Sequence, residues 1–143
     1  MKLTPTTAED IPQIQEWVAA DPWHKDDLKW SDAAGMLTGN GLLAFCLQDD
    51  AGPLVFVRLD ADGEMVRIVM QFGPISEVSK RRLVVGLARI GVPAMIAFAR
   101  DRGFKGLIFE SVNESLIGFG NRLGFKAAGG DDYSLTFEEQ INV

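Results

Sequence analysis

The spacing of apolar positions predicts helices near the start of the chain. Four apolar residues share one face of a helix that begins near residue 11: Ile11, Ile14, Trp17 and Val18. Asp10, with Gln13 three residues later, predicts a capping box at its start, and Pro12 is tolerated in a first turn. After the loop DPWHKDD, the stretch SDAAGML predicts a second short helix that ends at GNG.

Three strand-like runs follow, separated by short turns that contain Gly and Asp. They read GLLAFCLQ, PLVFVRLD and EMVRIVMQF, and this arrangement predicts a three-stranded antiparallel meander. A long helical segment then runs from about Ser79 to Arg102, with Gly103 as its stop signal. The remainder predicts a buried strand in KGLIFES, a helix in NESLIGFGNRL and a final strand in DYSLTF.

The predicted order of elements is a strand, two helices, the meander, a helix, a strand, a helix and a strand. A strand–helix–strand crossover over residues 65–110 favours a parallel pair within an otherwise mixed sheet. We therefore expect an α/β (α+β) fold with one layered core, formed by a single domain over residues 1–143.

Composition narrows the classes of function. The chain has 143 residues, of which 47% are hydrophobic, and its formal net charge of −6 disfavours nucleic-acid binding. Cys46, the only cysteine, stands among apolar residues and indicates a buried thiol and a cytoplasmic protein. The N-terminus lacks an apolar signal segment, and Arg89 and Pro93 interrupt the longest apolar run, so no membrane span is expected.

Familiar catalytic and metal-binding motifs are missing from the sequence. One histidine and one cysteine are too few for a zinc site, so no metal is expected. The glycine-rich phosphate, dinucleotide and nucleophile-elbow motifs are also lacking.

The element order and the C-terminal third together resemble the GNAT superfamily of acyl-CoA-dependent N-acyltransferases. ARDRGFKGLIFE is similar to the family's exit from a helix into its central strand. Asn113 then opens a helix that Leu123, Gly124 and Phe125 close, as in that family. The resemblance implies a mostly antiparallel sheet in which two parallel strands splay apart at the centre, between EMVRIVMQF and KGLIFES.

In that family the pantetheine arm of acetyl-CoA enters the splay, and its pyrophosphate lies at the N-terminus of the next helix. The resemblance implies cofactor contacts at Gln71, Phe72 and Asn113. Its phosphate motif aligns with residues 83–88 and implies further contacts at Arg82, Val84, Gly86, Leu87, Ala88 and Arg89. Leu83 departs from the motif, because the family has Gln or Arg there.

Two alternatives stay open at this helix. Ser76 and Ser79 are both competent N-caps, and a helix that began at either would leave residues 83–88 with their N–H groups already bonded. Two roles are likewise open for Arg81, Arg82 and Arg89: contacts with CoA phosphates, or solvated charges on the helix.

The family's thiolate-protonating tyrosine is replaced by Gly120, itself a predicted contact with the cofactor. The acceptor wall is expected near Trp23, His24 and Trp30, and His24 is also a candidate base. Glu110 and Ser111, at the carboxyl end of the central strand, are the other catalytic candidates. Tyr133 could supply an acid, although packing in the last strand explains it equally.

Two functions follow. The first is an N-acyltransferase that moves an acetyl group from acetyl-CoA to an amine of a small molecule or peptide by direct attack. The second is a GNAT-like binding or assembly module without acyl-CoA chemistry, for which a homodimer would be the natural form. Leu83 and Gly120 motivate the second.

Overall fold

The computed structural model describes residues 1–22, 41–74 and 76–137, and it arranges them around one seven-stranded sheet flanked by helices. The strands are β1 (Lys2–Pro5), β2 (Gly41–Asp49), β3 (Gly52–Asp62), β4 (Met65–Phe72), β5 (Gly106–Glu110), β6 (Lys126–Gly129) and β7 (Asp132–Thr136). The helices are α1 (Ile11–Ala20), α2 (Glu77–Gly86), α3 (Val92–Asp101) and α4 (Glu114–Arg122).

The strands lie in the order β1-β2-β3-β4-β5-β7-β6. Among the described strands, only the β4–β5 pair is parallel, and each of the other neighbours is antiparallel. The α/β class, the meander formed by β2, β3 and β4, and the central parallel pair are therefore confirmed.

Helices cover both faces of the sheet. One face, called here the α1 face, packs Ile14 and Val18 of α1 on Cys46 and Phe56. The other, the α2–α3 face, carries the larger core of β2–β5 with α2, α3 and α4, and it includes Leu83, Leu87 and Met95. Because strand side chains alternate between faces, Val66 and Ile68 place Arg67 on the α1 face.

The long helical segment begins at Ser76, which settles one alternative left open by the sequence. The Ser76 hydroxyl accepts a hydrogen bond from Ser79 N–H at 3.2 Å, and the Ser79 hydroxyl accepts one from Ser76 N–H at 2.8 Å. Gly103 follows the end of the segment with a φ of +82°, the left-handed conformation that suits a glycine stop.

The helix continues through Arg89 and Pro93, which interrupt only the apolar run of the sequence. A π turn over Leu87–Gly91 joins α2 to α3, and it accommodates the N–H that Pro93 lacks. The continuous helix Glu77–Asp101 is long and apolar enough, by length and composition, to cross a membrane. A helix in the core of a globular protein can meet the same criteria of length and composition. In Glu77–Asp101, 39% of the most apolar stretch is buried inside the protein.

Two local predictions were wrong. Asp10 does not cap α1 with Gln13; its carboxylate instead accepts from Thr7 N–H at 2.8 Å, one turn earlier. The short strand β6 was missed because all of its residues are exposed and show no apolar alternation. The helix predicted in SDAAGML lies outside the described residues.

Candidate active site

A wedge opens between β4 and β5. The two strands pair at three positions only, the last of which joins Arg67 to Ile108. Beyond that point β4 continues as Ile68–Phe72 and β5 as Phe109–Glu110, each paired with its outer neighbour. The edges of the two strands that face the wedge therefore present backbone N–H and C=O groups without a strand between them. This opening lies where the sequence resemblance implies it.

On the α1 face, the β4 side of the wedge carries Gln71, which is completely buried. Gln71 Nε2 donates to a carboxylate oxygen of Asp21 at 3.1 Å and to the carbonyl oxygen of Phe72 at 2.9 Å. Asp21 directly follows α1, so the pair ties the end of that helix to the end of β4. Sequence reasoning missed Asp21, because its pairing with Gln71 joins residues fifty positions apart.

Glycine allows a close approach where β4 ends. A Cβ at Gly73 would lie 2.6 Å from Cε2 of Trp17, so the indole ring packs directly on this backbone. The ring also lies 5.2 Å from that of Phe56, centroid to centroid. Trp17 therefore holds the start of the loop between β4 and α2.

The phosphate motif implied by the resemblance does not have the geometry that phosphate binding needs. Val84, Gly86, Leu87 and Ala88 lie within the helix or its π turn, so their N–H groups are used by the helix itself. Gly86 serves packing instead, because a Cβ there would meet Met1 Sδ and would lie 3.0 Å from Leu47 Cδ2. The helix N-terminus that could face a phosphate lies before the start of the motif, at Glu77–Ser79.

The two arginines of that motif have different surroundings. Arg82 forms an ion pair with Asp49 of the β2–β3 turn through Nε and Nη2. These hydrogen bonds lower the pKa of the Asp49 carboxyl and raise that of the Arg82 guanidinium. Arg89 is exposed on the π turn, away from the helix N-terminus.

Gly120 is buried because the ring of Phe109 fills the place of a side chain there. A Cβ at Gly120 would lie 2.9 Å from Phe109 Cζ and 3.1 Å from Cε1. The Phe109 ring also packs edge-on against Phe125 and stacks on Tyr133, with centroids at 5.1 and 5.6 Å. An aromatic cluster therefore stands where the family has its tyrosine, and Tyr133 belongs to that cluster.

The remaining predicted residues of this region lie at the β5–α4 junction. Asn113 is the N-cap of α4, since its Oδ1 accepts from Ser115 and Leu116 N–H at 3.0 and 3.2 Å. The Ser111 hydroxyl accepts from Asn113 N–H at 3.0 Å, so it supports the same turn. Glu110 is exposed, and its register partner Asp132 places it on the α1 face. The burial that would favour Glu110 as a base is therefore not found.

The predicted acceptor wall, Trp23, His24 and Trp30, lies outside the described residues. Within the described ranges, no three His, Cys, Asp or Glu side chains are grouped to hold a metal ion. Cys46 is buried, as predicted, and burial followed by the charge of Asp10 raises the pKa of its thiol to about 12.

Comparison with known proteins supports the fold. No family model and no curated protein sequence matches the chain. Among solved structures, aminoglycoside acetyltransferase AAC(6')-Ib with coenzyme A and kanamycin aligns with a TM-score of 0.70 at 14% identity, covering 96% of this chain and 95% of that one. A GNAT family acetyltransferase from Brucella melitensis with acetyl-CoA gives 0.61 at 17% identity, covering 95% and 87%. The ribosomal-protein-S18-alanine N-acetyltransferase from Escherichia coli gives 0.62 at 17% identity, covering 93% and 88%. The chain therefore has the GNAT fold.

Proposed function

We propose that this chain is an N-acyltransferase that moves an acetyl group from acetyl-CoA to an amine of a small molecule or peptide. The observation that carries the proposal is the wedge, where β4 and β5 part after three paired positions. An extended pantetheine arm can pair there with the backbone edge of Ile68–Phe72, as an added strand would. Several of the similar solved structures contain acetyl-CoA or coenzyme A.

The residues that could receive the rest of acetyl-CoA differ from those implied by the sequence motif. The N-terminus of α2 faces the same end of the sheet as the wedge. Its Ser79 N–H is already bonded to the Ser76 hydroxyl, which leaves the N–H groups of Glu77 and Val78 to favour an anion. Lys80, exposed one turn further, adds a positive charge, whereas Glu77 in the first turn opposes one. The site therefore fits a pyrophosphate, with less electrostatic attraction than a basic loop would give.

The chemistry needs a proton acceptor and a proton donor. The amine nitrogen forms a bond to the acetyl carbon, the carbon–sulfur bond breaks, and one proton passes from the nitrogen to the thiolate. Asp21 and Glu110 are the carboxylates on either side of the wedge on the α1 face, and either can take that proton through water. Gly120 has no acid to offer, so the thiolate proton comes from water or from Tyr133.

A second function is favoured by a specific set of contacts. Arg82 is already neutralised by Asp49, and the tyrosine site is filled by Phe109. Both features suit a GNAT-like module that binds a partner without transferring acyl groups. In that case the wedge would remain closed to CoA. A cytoplasmic location stays a prediction of the sequence under either function.

Calorimetric titration of the protein with acetyl-CoA separates these functions. We expect saturable binding, weakened about two- to fivefold by Lys80→Ala because one exposed charge contributes little more. Lys105→Ala is the matched control, because Lys105 is equally exposed but precedes β5 at the other end of the sheet. Release of free CoA thiol with a panel of amines then tests for turnover. No heat at millimolar acetyl-CoA would favour the module, and turnover would exclude it.

A further inference from the structure

The sheet consists of two parts that share few backbone contacts. The first part is β1–β4 and the second is β5–β7. In the described part of the chain, three β4–β5 pairs join them within the sheet, and the Lys105 N–H donates to the Glu64 carbonyl oxygen just before these strands at 2.7 Å. The wedge opens at the end of this seam. Any contact that bridges the two parts at that point controls how far the wedge can open.

Arg67 is such a contact. It occupies the last paired position of β4, and its side chain lies on the α1 face. Its Nη1 and Nη2 donate to the two carboxylate oxygens of Asp132 on β7 at 2.9 and 3.1 Å. Its Nε donates to Asp62 at the end of β3 at 2.8 Å. One guanidinium thus connects β3 and β4 in the first part to β7 in the second, across β5.

The chemistry of this contact suits a fixed connection. A bidentate pair between Arg and a carboxylate restricts both distance and orientation. The side chains of Arg67 and Asp132 are 28% and 27% exposed, so the pair is partly shielded from water. The hydrogen bonds from Arg67 lower the pKa of Asp132, and those from Asp132, followed by Asp62, raise the pKa of Arg67. Both groups therefore remain charged at neutral pH.

We propose that Arg67 and Asp132 form a clamp that fixes the apex of the wedge, and with it the depth and width of the slot for the pantetheine arm. The clamp makes Arg67 and Asp132 positioning residues, because they act on the cofactor through the separation of β4 and β5. The expected effect on acetyl-CoA binding rests on the proposed acyltransferase activity. The expected effect on the separation of β4 and β5 does not depend on that activity.

The chain supplies a matched control for the clamp. Arg58 and Asp60 form another bidentate pair on the α1 face, with Nε and Nη2 donating at 2.9 and 2.8 Å. Their side chains are 20% and 18% exposed, which is close to the values of the clamp. Both residues belong to β3, so this pair does not cross the seam. Asp60 faces Arg67 in the register of β3 and β4, but both of its carboxylate oxygens accept from Arg58. Loss of the control pair removes similar chemistry without freeing the wedge.

The experiment compares Asp132→Asn with Asp60→Asn by hydrogen exchange and calorimetry. In the free protein, we expect Asp132→Asn to speed amide exchange at Ile68–Met70 and Ile108–Glu110, and Asp60→Asn to leave those amides unchanged. For acetyl-CoA, we expect Asp132→Asn to weaken binding about fivefold, which corresponds to about 1 kcal/mol. Asp60→Asn should change binding by less than about twofold, because the loss of a partly exposed ion pair within one strand has a small effect. In turnover, the loss should appear in KM for acetyl-CoA rather than in kcat.

The outcomes for the clamp and for the function are distinct. Equal exchange rates at the wedge in the two variants would refute the clamp, whatever the affinity for acetyl-CoA. Faster exchange with unchanged affinity would show a structural tie that does not set the slot, and would equally overturn the proposal. If the unmodified protein binds no acetyl-CoA, the proposed function fails, while the exchange comparison still decides the clamp.

Discussion

The two parts of the sheet that meet at the wedge are built very differently. Strands β2, β3 and β4 have nine, eleven and eight residues, whereas β5, β6 and β7 have five, four and five. In β3, Val55, Phe56, Val57 and Leu59 are completely buried, and all of β6 is exposed. The long part contributes most of the buried residues of the shared core, to which the short part adds fewer, among them Leu107 and Phe109. The Phe109 cluster and the clamp add further contacts to the short part.

The difference matters because the wedge lies on the boundary between the two parts. A slot needs one rigid wall to define its shape and can tolerate a second wall that adjusts. Here β4 belongs to the part with the longer strands and β5 to the part with the shorter ones. We therefore expect ligands to be positioned mainly by β4, and adjustment to occur in β5–β7.

The largest predicted effect tests the long part of the sheet, β1–β4. Phe56 is completely buried and packs on Trp17, so Phe56→Ala should lower the free energy of unfolding by about 3–5 kcal/mol. Tyr133→Ala, in the short part, should lower it by less than half as much, because Tyr133 is only half-buried. Urea unfolding at neutral pH measures both changes. Equal losses would contradict the contrast between the two parts.

The second prediction tests how tightly the short part is packed. Gly120→Ala places a Cβ 2.9 Å from the Phe109 ring, so overpacking should destabilise the protein by about 1–3 kcal/mol. Gly118→Ala, two residues away in the same helix, should stabilise it by up to about 1 kcal/mol because its nearest contact is Arg122 Nη1 at 3.8 Å.

Thermal and urea unfolding of the two glycine variants check these signs. A shorter side chain at position 109, as in Phe109→Leu, should relieve Gly120→Ala if the ring is the cause of the clash. If Gly120→Ala alone stabilises the protein, the Phe109 ring can move aside at little cost, and position 120 can accommodate a side chain.

The third prediction concerns acid pH and the clamp. Arg67 lowers the pKa of Asp132 below that of the unfolded chain, about 4. The stabilisation is therefore complete above that pH and is lost as the pH falls through the folded pKa. Asp132→Asn should cost about 1 kcal/mol at pH 7, and the difference from the unmodified protein should shrink at pH 3. A difference that is independent of pH would exclude the ion pair as its cause.

The smallest effect is expected in the reactivity of Cys46, which lies on β2 in the long part of the sheet. Burial raises the pKa of this thiol to about 12, so little thiolate forms at pH 8. We expect a thiol-directed reagent to react only when the long part of the sheet opens, and the reaction to accelerate in urea. Rapid labelling of the native protein would show that β2 is less well protected than its burial indicates.

Sequence reasoning succeeded where the signal was local and repeated. The meander was predictable because β-branched and aromatic residues alternate between short Gly and Asp turns. Asn113 was predictable as an N-cap because its residue type and its place before an apolar helix agree. The exposed strand β6 carries no such pattern, so it could not be predicted in this way.

The candidate site was less predictable, because its geometry depends on distant pairs. The phosphate motif was aligned by residue type to residues 83–88, but the reciprocal Ser76–Ser79 cap starts the helix earlier and buries Gly86 against β2. Small residues suit both close packing and close approach to a phosphate, so their presence alone did not distinguish the two roles.

The amino-acid pattern by itself determined the class of fold and the central parallel pair, because both follow from periodicity and connection rules. The place where that pair parts was implied only by the resemblance to the GNAT superfamily. Only the tertiary structure decided which helix turn faces the wedge, what fills the place of the missing tyrosine, and that Arg67 reaches Asp132. Those outcomes depend on side chains far apart in sequence that packing brings together, and no local pattern encodes such a meeting.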